Sequence, residues 1–175
     1  MARAYVSVGS NVERERHVAR ALELLARRYG VLERSSVYES VAVGFAGDPF
    51  FNLVVAFDTA EQPRELVRAL HDIERRCGRT RRTRRFGPRT LDLDLLLLGD
   101  TVLNEDGLTL PREEITAYDF VLCPLAEVAP DVRHPSRGLT FAELWSRYEK
   151  RQGNLRKTDF VPEAGRAVSA GAGAG

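Results

Sequence analysis

Two aspartates interrupt an otherwise apolar run of leucines in the segment LDLDLLLL, at positions 92 and 94. Residues i and i+2 of a β-strand point to the same face, so a strand here places the carboxylates of Asp92 and Asp94 side by side. Unpaired buried charges are costly, and a hard cation such as Mg²⁺, which prefers oxygen ligands, removes that cost. The spacing therefore predicts a metal site that can bind phosphate. The alternative is a pair of aspartates in salt bridges with nearby arginines.

A basic segment directly precedes these aspartates and contains Gly87-Pro88, which is typical of a loop. Its arginines are Arg79, Arg81, Arg82, Arg84, Arg85 and Arg89. Guanidinium groups bind phosphate oxygens in bidentate geometry. A metal site beside an arginine loop suits phosphoryl transfer, because that chemistry depends mainly on charge neutralisation and positioning. The alternative is a solvated basic face or an RNA-binding patch, which leaves the two aspartates unexplained.

No other set of residues competes for a catalytic role. The chain has three histidines, none at a spacing typical of metal ligands, and it lacks a G-x-S-x-G motif. Its only lysines are Lys150 and Lys157, so a P-loop lysine is absent and any ATP site must be built differently. The two cysteines, Cys77 and Cys123, lie far apart without C-x-x-C spacing, which argues against a disulfide scaffold or a zinc ribbon.

Composition places the chain among ordinary globular proteins. It has 175 residues, 43% of them hydrophobic and 29% charged, with a net charge of +1. The length suits one domain, and the balanced charge gives no global attraction to nucleic acid or to a membrane. We expect no signal peptide, because the N-terminal segment soon becomes charged. Apolar runs such as Leu95 to Leu98 are far too short to span a bilayer. We therefore expect a soluble cytoplasmic protein.

Hydrophobic periodicity predicts alternating strands and helices. The expected strands are 4–8, 31–40, 51–59, 91–98 and a short one at 101–103, which a turn at 104–107 makes hairpin-like. The expected helices are 13–28, 63–77, 120–129 and 141–151, and 41–49 is a long loop. This order predicts an α+β fold with a ferredoxin-like split βαβ antiparallel sheet, helices on one face, and an appended hairpin and C-terminal helices. We expect the domain to cover 1–158 and the Ala/Gly-rich tail, 159–175, to be disordered.

Several segments together resemble the 6-hydroxymethyl-7,8-dihydropterin pyrophosphokinase family. FGPRTLDLDLLLLG is similar to the family's signature, and VSVGSNVE to its first strand and turn. DPFFNLVVAF, IERRCGR and FVLCPLAEVAP resemble its pterin-side strand, the end of its nucleotide-side helix and its late helix. The match runs from about Tyr5 to Leu144. It implies transfer of a pyrophosphoryl group from ATP to the pterin hydroxymethyl group, with release of AMP, in folate biosynthesis.

The resemblance also implies site residues. Asp92 and Asp94 would hold two Mg²⁺ ions, and Arg79, Arg81 and Arg89 would neutralise the transferring group. The other residues at the ATP site would be Glu74, Leu95, Thr109 and Arg112. The pterin would lie among Ser40, Val43, Phe50, Asn52, Phe86 and Phe120, which suits a flat heteroaromatic ring that needs aromatic faces and an amide at its edge. The expected partners are these small molecules alone, with no nucleic acid or membrane, and the expected state is a monomer.

Three positions depart from the family's usual pattern. Arg112 replaces a histidine, Phe50 replaces a frequent tyrosine, and Tyr118 replaces an arginine, with Asp119 adding a negative charge beside it. Changes near the ATP site leave open a paralogue with weakened or altered activity. An RNA-binding module is a further alternative, because RNA-recognition domains share the strand order, but the aromatic RNP pattern is absent.

Overall fold

A computed structural model describes residues 1–41, 47–78, 91–149 and 154–168 of the chain. Its strands are β1 (Ala2–Ser10), β2 (Glu33–Arg34), β3 (Tyr38–Ser40), β4 (Phe50–Thr59), β5 (Asp92–Leu98), β6 (Leu103–Glu105), β7 (Leu108–Leu110), β8 (Leu155–Lys157) and β9 (Arg166–Ala167). Its helices are α1 (Arg14–Tyr29), α2 (Pro63–Arg76), α3 (Glu114–Ala117), α4 (Asp119–Val128) and α5 (Phe141–Arg147). The long helices and strands were predicted from periodicity, whereas the short helix α3 was not.

The main sheet has the strand order β5-β1-β4-β2-β9. Strand β1 pairs antiparallel with β4 on one side and with β5 on the other. Strand β3 pairs antiparallel with the start of β4 and with β8, while β9 joins β2 in parallel. Strands β6 and β7 form a separate hairpin. The described residues thus form a mixed α/β fold in which β1 and β4 are central.

Helices cover both faces of this sheet, so the expectation of helices on one face is wrong. One face carries Leu53, Val55 and Phe57 of β4 and packs against α1 and α2 through residues such as Leu22 and Leu66. The opposite face belongs to a second apolar cluster, which includes Val54, Ala56, Leu122, Leu125 and Phe141. The reason lies in β4, because its apolar residues are buried on both faces instead of alternating with exposed ones.

The predicted strand 31–40 is divided into β2 and β3. Between them, the main-chain N–H of Ser35 donates to the carbonyl of Val54 at 2.9 Å. The N–H of Val54 donates instead to the side-chain oxygen of Ser35 at 3.0 Å. A serine side chain therefore takes one place in the ladder of main-chain hydrogen bonds, which interrupts regular pairing.

The C-terminal segment differs from the expected disordered tail. Within 159–168, the N–H of Arg166 donates to Leu32 O at 2.8 Å and that of Val168 to Arg34 O at 3.1 Å. Phe160 stacks on Phe51 with ring centroids 5.3 Å apart. The prediction of disorder rested on the Ala/Gly content of the segment. It did not consider Phe160, which packs against the core. Residues 169–175 lie outside the described part of the chain.

The remaining elements shift by a few residues from their expected positions. The hairpin occupies β6 and β7 instead of a strand at 101–103 followed by a turn. Helix α5 ends at Arg147, four residues earlier than expected. None of the helices in the four described ranges is long and apolar enough to cross a membrane.

We predict that folding stability decreases in mild acid because of His134, which is 6% exposed. Burial, together with the charge of Arg137, lowers the pKa of His134 from 6.5. Its Nδ1 accepts a hydrogen bond from the N–H of Ser136 at 3.1 Å, as suits the neutral ring. Because the pKa is lower in the folded state, the stabilisation is complete above the unfolded value of about 6.5 and is lost as the pH falls through the folded value.

Urea unfolding at pH 7 and pH 5 tests this prediction. The variant His134→Asn keeps an acceptor near the Nδ1 position and cannot gain a proton, so its stability should change less between the two pH values. His71→Asn, on α2, controls for the loss of a histidine as such. Equal pH dependence in wild type and His134→Asn would contradict the assignment.

Candidate active site

The two aspartates of the LDLD segment lie on the same face of β5. Their neighbours Leu93 and Leu95 are each 2% exposed and belong to the core cluster beneath α1 and α2. Alternation therefore turns Asp92 and Asp94 to the opposite face, where both are half-buried. This confirms that the strand places the two carboxylates on one face.

The pairing register connects the aspartates to the predicted pterin residues. Asp92 lies opposite Gly9 of β1, and Gly9 in turn lies opposite Asn52 of β4. Residues opposite each other in paired strands share a face, and neighbouring strands are about 4.8 Å apart, so the Cα atoms of Asp92 and Asn52 are separated by about 10 Å. Gly9 has no side chain to fill the space between them. A Cβ there would lie 3.6 Å from Asn52 Oδ1 and 4.0 Å from Phe50 Cδ1.

Asn52 is held in a defined orientation. It is 5% exposed, and its Nδ2 donates to the Oγ of Ser40 at 2.7 Å. Ser40 lies opposite Phe50 in the β3–β4 pair, so three of the predicted pterin residues are brought together at this end of the sheet. An amide fixed by a buried hydrogen bond loses little conformational freedom when it binds a heteroaromatic edge.

Phe120 lies near the N-terminus of α4 and packs against the second apolar cluster, on the face that carries the aspartates. Its ring stacks on that of Tyr118, with centroids 4.9 Å apart and an interplanar angle of 19°. The tyrosine that replaces the family's arginine thus contacts the predicted pterin residue. Asp119 is in the first turn of α4, where a negative charge is favourable to the helix dipole. Tyr118 and Asp119, which depart from the family pattern, thus both have local structural roles.

Arg112 contacts the site through both its main chain and its side chain. Its N–H donates to Leu96 O at 3.0 Å, which ties the segment after β7 to β5. Its guanidinium forms ion pairs with Asp94 at 3.3 Å and with Glu114 at 3.1 Å. Asp94 is therefore salt-bridged to an arginine, as the alternative interpretation of the two aspartates expects. Thr109 lies in β7, three residues before Arg112, and is half-buried.

Two predicted ATP-site residues, Leu95 and Glu74, contact other parts of the fold through their side chains. Leu95 is in the core cluster, so its side chain is on the face opposite the carboxylates. Glu74 of α2 is 4% exposed, and its Oε2 accepts the N–H of Leu93 at 3.0 Å. This bond satisfies a main-chain donor of β5 and holds the strand against α2. The remaining predicted residues, namely Val43, Arg79, Arg81, Phe86 and Arg89, lie outside the described residues.

Tyr38 is a residue of the site that the sequence interpretation missed. It lies opposite Asn52 in the register of β3 and β4, on the same face as the amide. Its spacing of two from Ser40 was the available signal, because alternate residues of a strand share a face. Burial and a hydrogen bond from its hydroxyl to Glu127, at 2.6 Å, raise the pKa of Tyr38, so it stays protonated at neutral pH.

The carboxylate pair fits Mg²⁺ better than a metal that needs a full set of protein ligands. Within the four described ranges, no cluster of three or more His, Cys, Asp or Glu side chains is placed to hold a metal. Mg²⁺ commonly binds through one or two carboxylates and takes its other ligands from water and substrate phosphates. Asp92 and Asp94, half-buried on one face, meet that requirement.

We predict that Glu74 matters for the stability of β5. Glu74→Ala leaves the N–H of Leu93 without this acceptor, and we expect the free energy of unfolding to fall by about 2 kcal/mol. Glu74→Gln retains an acceptor oxygen and should lose less. Urea denaturation measures both, with Glu65→Ala at an exposed position of α2 as the control. A Glu74→Ala variant as stable as the control would contradict the role.

Comparison with known proteins agrees with this geometry. The family described as 7,8-dihydro-6-hydroxymethylpterin-pyrophosphokinase (HPPK) matches residues 5–130. The chain is 42% identical over 137 residues to the 2-amino-4-hydroxy-6-hydroxymethyldihydropteridine pyrophosphokinase of Pseudomonas aeruginosa, covering 76% of this chain and 84% of that protein. The enzymes of the same name from Aquifex aeolicus and Bacillus subtilis are 36% and 38% identical, covering 77% and 74% of this chain and 85% and 79% of those proteins.

Solved structures agree at the level of the fold. A Plasmodium falciparum HPPK-DHPS triple mutant with pteroate matches with a TM-score of 0.72 and 14% identity, over 89% of this chain. The chain spans about half of the length of that solved chain, 46% of it. The match to residues 5–130 covers well over half of the sequence and includes every described residue of the candidate site. The chain therefore belongs to the 7,8-dihydro-6-hydroxymethylpterin-pyrophosphokinase family.

Proposed function

We infer that this chain transfers the pyrophosphoryl group of ATP to the hydroxymethyl group of 6-hydroxymethyl-7,8-dihydropterin and releases AMP, as a step of folate biosynthesis. One observation carries the inference beyond family membership. The carboxylates of β5 and the fixed amide of Asn52 share one face of the sheet, separated by a residue without a side chain, Gly9. A phosphate-binding metal site and an aromatic-binding site can thus face the same substrate.

We propose that Asp92 and Asp94 hold two Mg²⁺ ions together with the ATP phosphates. The metal would supply charge neutralisation for the phosphate oxygens. The protein's part is to keep both carboxylates on one face of a strand whose main chain is held by Glu74 and by the N–H of Arg112. The guanidinium of Arg112 pairs with Asp94 at 3.3 Å, so its positive charge lies beside the carboxylates. From this position Arg112 can also bind a phosphate oxygen of ATP.

The pterin would lie over Gly9, between Phe50 and Phe120, with the Asn52 amide at its edge. Support comes from the close approach of Phe50 and Asn52 to Gly9 and from the orientation of Asn52 by Ser40. Such an arrangement fixes the hydroxymethyl oxygen relative to the bound ATP, and positioning of this kind supplies much of the rate enhancement of phosphoryl transfer.

The basic segment before β5 is proposed to bind the phosphate groups of ATP. Its position in the chain, directly before Asp92, supports a role for Arg79, Arg81 and Arg89 in neutralising the transferring group. Val43 and Phe86 are proposed to close the pterin side, and Thr109 and Leu95 to line the nucleotide side. In this role Leu95 would act through its main chain, because its side chain is in the core.

We further propose that the sheet is ferredoxin-like, since its order β5-β1-β4-β2 with antiparallel pairing is that of a split βαβ unit. One domain covering 1–158 is proposed, with 159–168 packed against it. A monomer in the cytoplasm fits a chain whose two cysteines, one buried and one half-buried, form no disulfide.

Formation of AMP from ATP, the hydroxymethyl dihydropterin and Mg²⁺ tests the function directly. We expect turnover that requires all three components. The stacking of Tyr118 on Phe120 favours full activity over a weakened paralogue. Tyr118, which replaces an arginine, supports the Phe120 ring beside the proposed pterin site. Absence of AMP formation at high enzyme concentration would contradict the proposal, and restoration of activity by Tyr118→Arg would favour the weakened paralogue.

A further inference from the structure

The carboxylate of Glu127 in α4 accepts three hydrogen bonds from residues at and just before the start of β3, next to the predicted pterin residues. Its Oε1 accepts the main-chain N–H of Ser36 at 2.9 Å and the Ser36 hydroxyl at 2.7 Å. Its Oε2 accepts the hydroxyl of Tyr38 at 2.6 Å. Both carboxylate oxygens are thus used, and all three donors belong to the short segment that leads from β2 into β3. Hydrogen bonds to a charged acceptor are stronger than those between neutral groups.

This contact joins the two sides of the proposed pterin site. On one side, Tyr38 lies opposite Asn52, and Ser40 of the same strand accepts the Asn52 amide. On the other side, Phe120 and Glu127 are seven residues apart on α4, so they share one face of the helix at a separation of about 10 Å. Glu127 therefore fixes the distance between the strand that carries the amide partner and the helix that carries the ring.

Helix α4 contacts the sheet both through hydrogen bonds to Ser36 and Tyr38 and through apolar side chains. The apolar contacts between α4 and the sheet belong to the second cluster. Apolar packing is non-directional, so it holds the helix on the sheet without fixing its position along the strands. The directional bonds from Ser36 and Tyr38 supply that restraint. The thiol of Cys123, one turn before Glu127, contributes to the environment of the Tyr38 hydroxyl.

We propose that Glu127 is a positioning residue for pterin binding, which sets the gap between Phe120 and the Asn52–Ser40 pair without touching the substrate itself. The inference rests on the proposed function. It predicts a selective effect, because the ATP-side residues are attached to β5, α2 and the segment after β7, and not to α4 through Glu127.

The test is steady-state kinetics with each substrate varied in turn, combined with calorimetry of pterin binding in the presence of Mg²⁺ and a non-hydrolysable ATP analogue. For Glu127→Ala we expect the KM and the Kd for the pterin to rise about tenfold, with KM for ATP and kcat within about threefold of wild type. Glu127→Gln should stay near wild type, because its amide oxygen can accept from Ser36 and its amide nitrogen can donate to the Tyr38 oxygen.

Glu143→Ala is the matched control. Glu143 is also a hydrogen-bonded glutamate on a helix of this face, but its partner is Thr140 at the start of α5, at 3.1 Å. We expect it to lower stability without changing pterin binding. Equal pterin effects in the two alanine variants, or an unchanged pterin Kd in Glu127→Ala, would overturn the inference. A wild type that binds the pterin but forms no AMP would contradict the proposed function alone.

Discussion

Replacing either aspartate of β5 by asparagine should reduce the rate of AMP formation by at least about a thousandfold while leaving the fold intact. Asp92 and Asp94 are the only acidic residues on this strand, and they share one half-buried face. An asparagine keeps the shape of the side chain but lacks the charge that a hard cation requires. Loss of a carboxylate that holds a charge-neutralising cation in the transition state lowers kcat and not only affinity.

Stability should change little, because asparagine also removes repulsion between two neighbouring carboxylates. At Asp94 the ion pair with Arg112 is lost, but Arg112 keeps its second partner, Glu114, at 3.1 Å. Circular dichroism and urea unfolding measure the fold, and a coupled assay of AMP measures turnover over a range of Mg²⁺ concentrations. Asp100→Asn, at an exposed position in the turn after β5, is the control. Near-normal rates in both variants would show that the metal assignment is wrong.

Asn52→Ala should raise the KM for the pterin by about tenfold to a hundredfold, equivalent to about 1.4 to 2.7 kcal/mol. The amide is 5% exposed and its Nδ2 is already used by Ser40, so its oxygen and remaining hydrogen are oriented for a ligand. A site built to hydrogen-bond a polar edge loses much of its affinity when that partner is removed. KM for ATP should change far less, because the aspartates lie two strands away.

Ser40→Ala separates the two contributions of this pair. It keeps the Asn52 amide but removes the acceptor that orients it, so we expect a smaller rise in the KM for the pterin, about threefold. Varying each substrate in turn at saturating concentrations of the other measures both variants. If Asn52→Ala changed the KM for ATP as much as that for the pterin, the amide would not be at the pterin edge.

The sequence alone was sufficient where a residue's role follows from local spacing. The i, i+2 relation of Asp92 and Asp94 predicted their common face, and the leucines around them predicted the strand. The apolar positions of α1 and α2 likewise predicted which helix faces are buried. In these cases strand and helix geometry determine the outcome without long-range information.

The sequence was insufficient where a role depends on a partner distant in the chain. Glu74 resembles a polar residue near a ligand, yet it accepts the N–H of Leu93, nineteen residues later. Tyr118 was interpreted as a change near the ATP site, whereas its ring stacks on Phe120. Glu127 carried no signal at all, because its donors are about ninety residues earlier in the chain. Tertiary packing determines which distant residues meet, and hydrophobic periodicity carries no information about it.

Strand β5 is the last strand of the sheet on its side, and this position has a consequence for self-association. A border strand normally presents free main-chain groups on which a second extended polypeptide can assemble. Here the carboxylate of Glu74 engages the N–H of Leu93, and the N–H of Arg112 engages the carbonyl of Leu96. The strand that carries the acidic pair is thereby shielded from intermolecular strand addition. Variants that release either bond should aggregate more readily, even where they still fold.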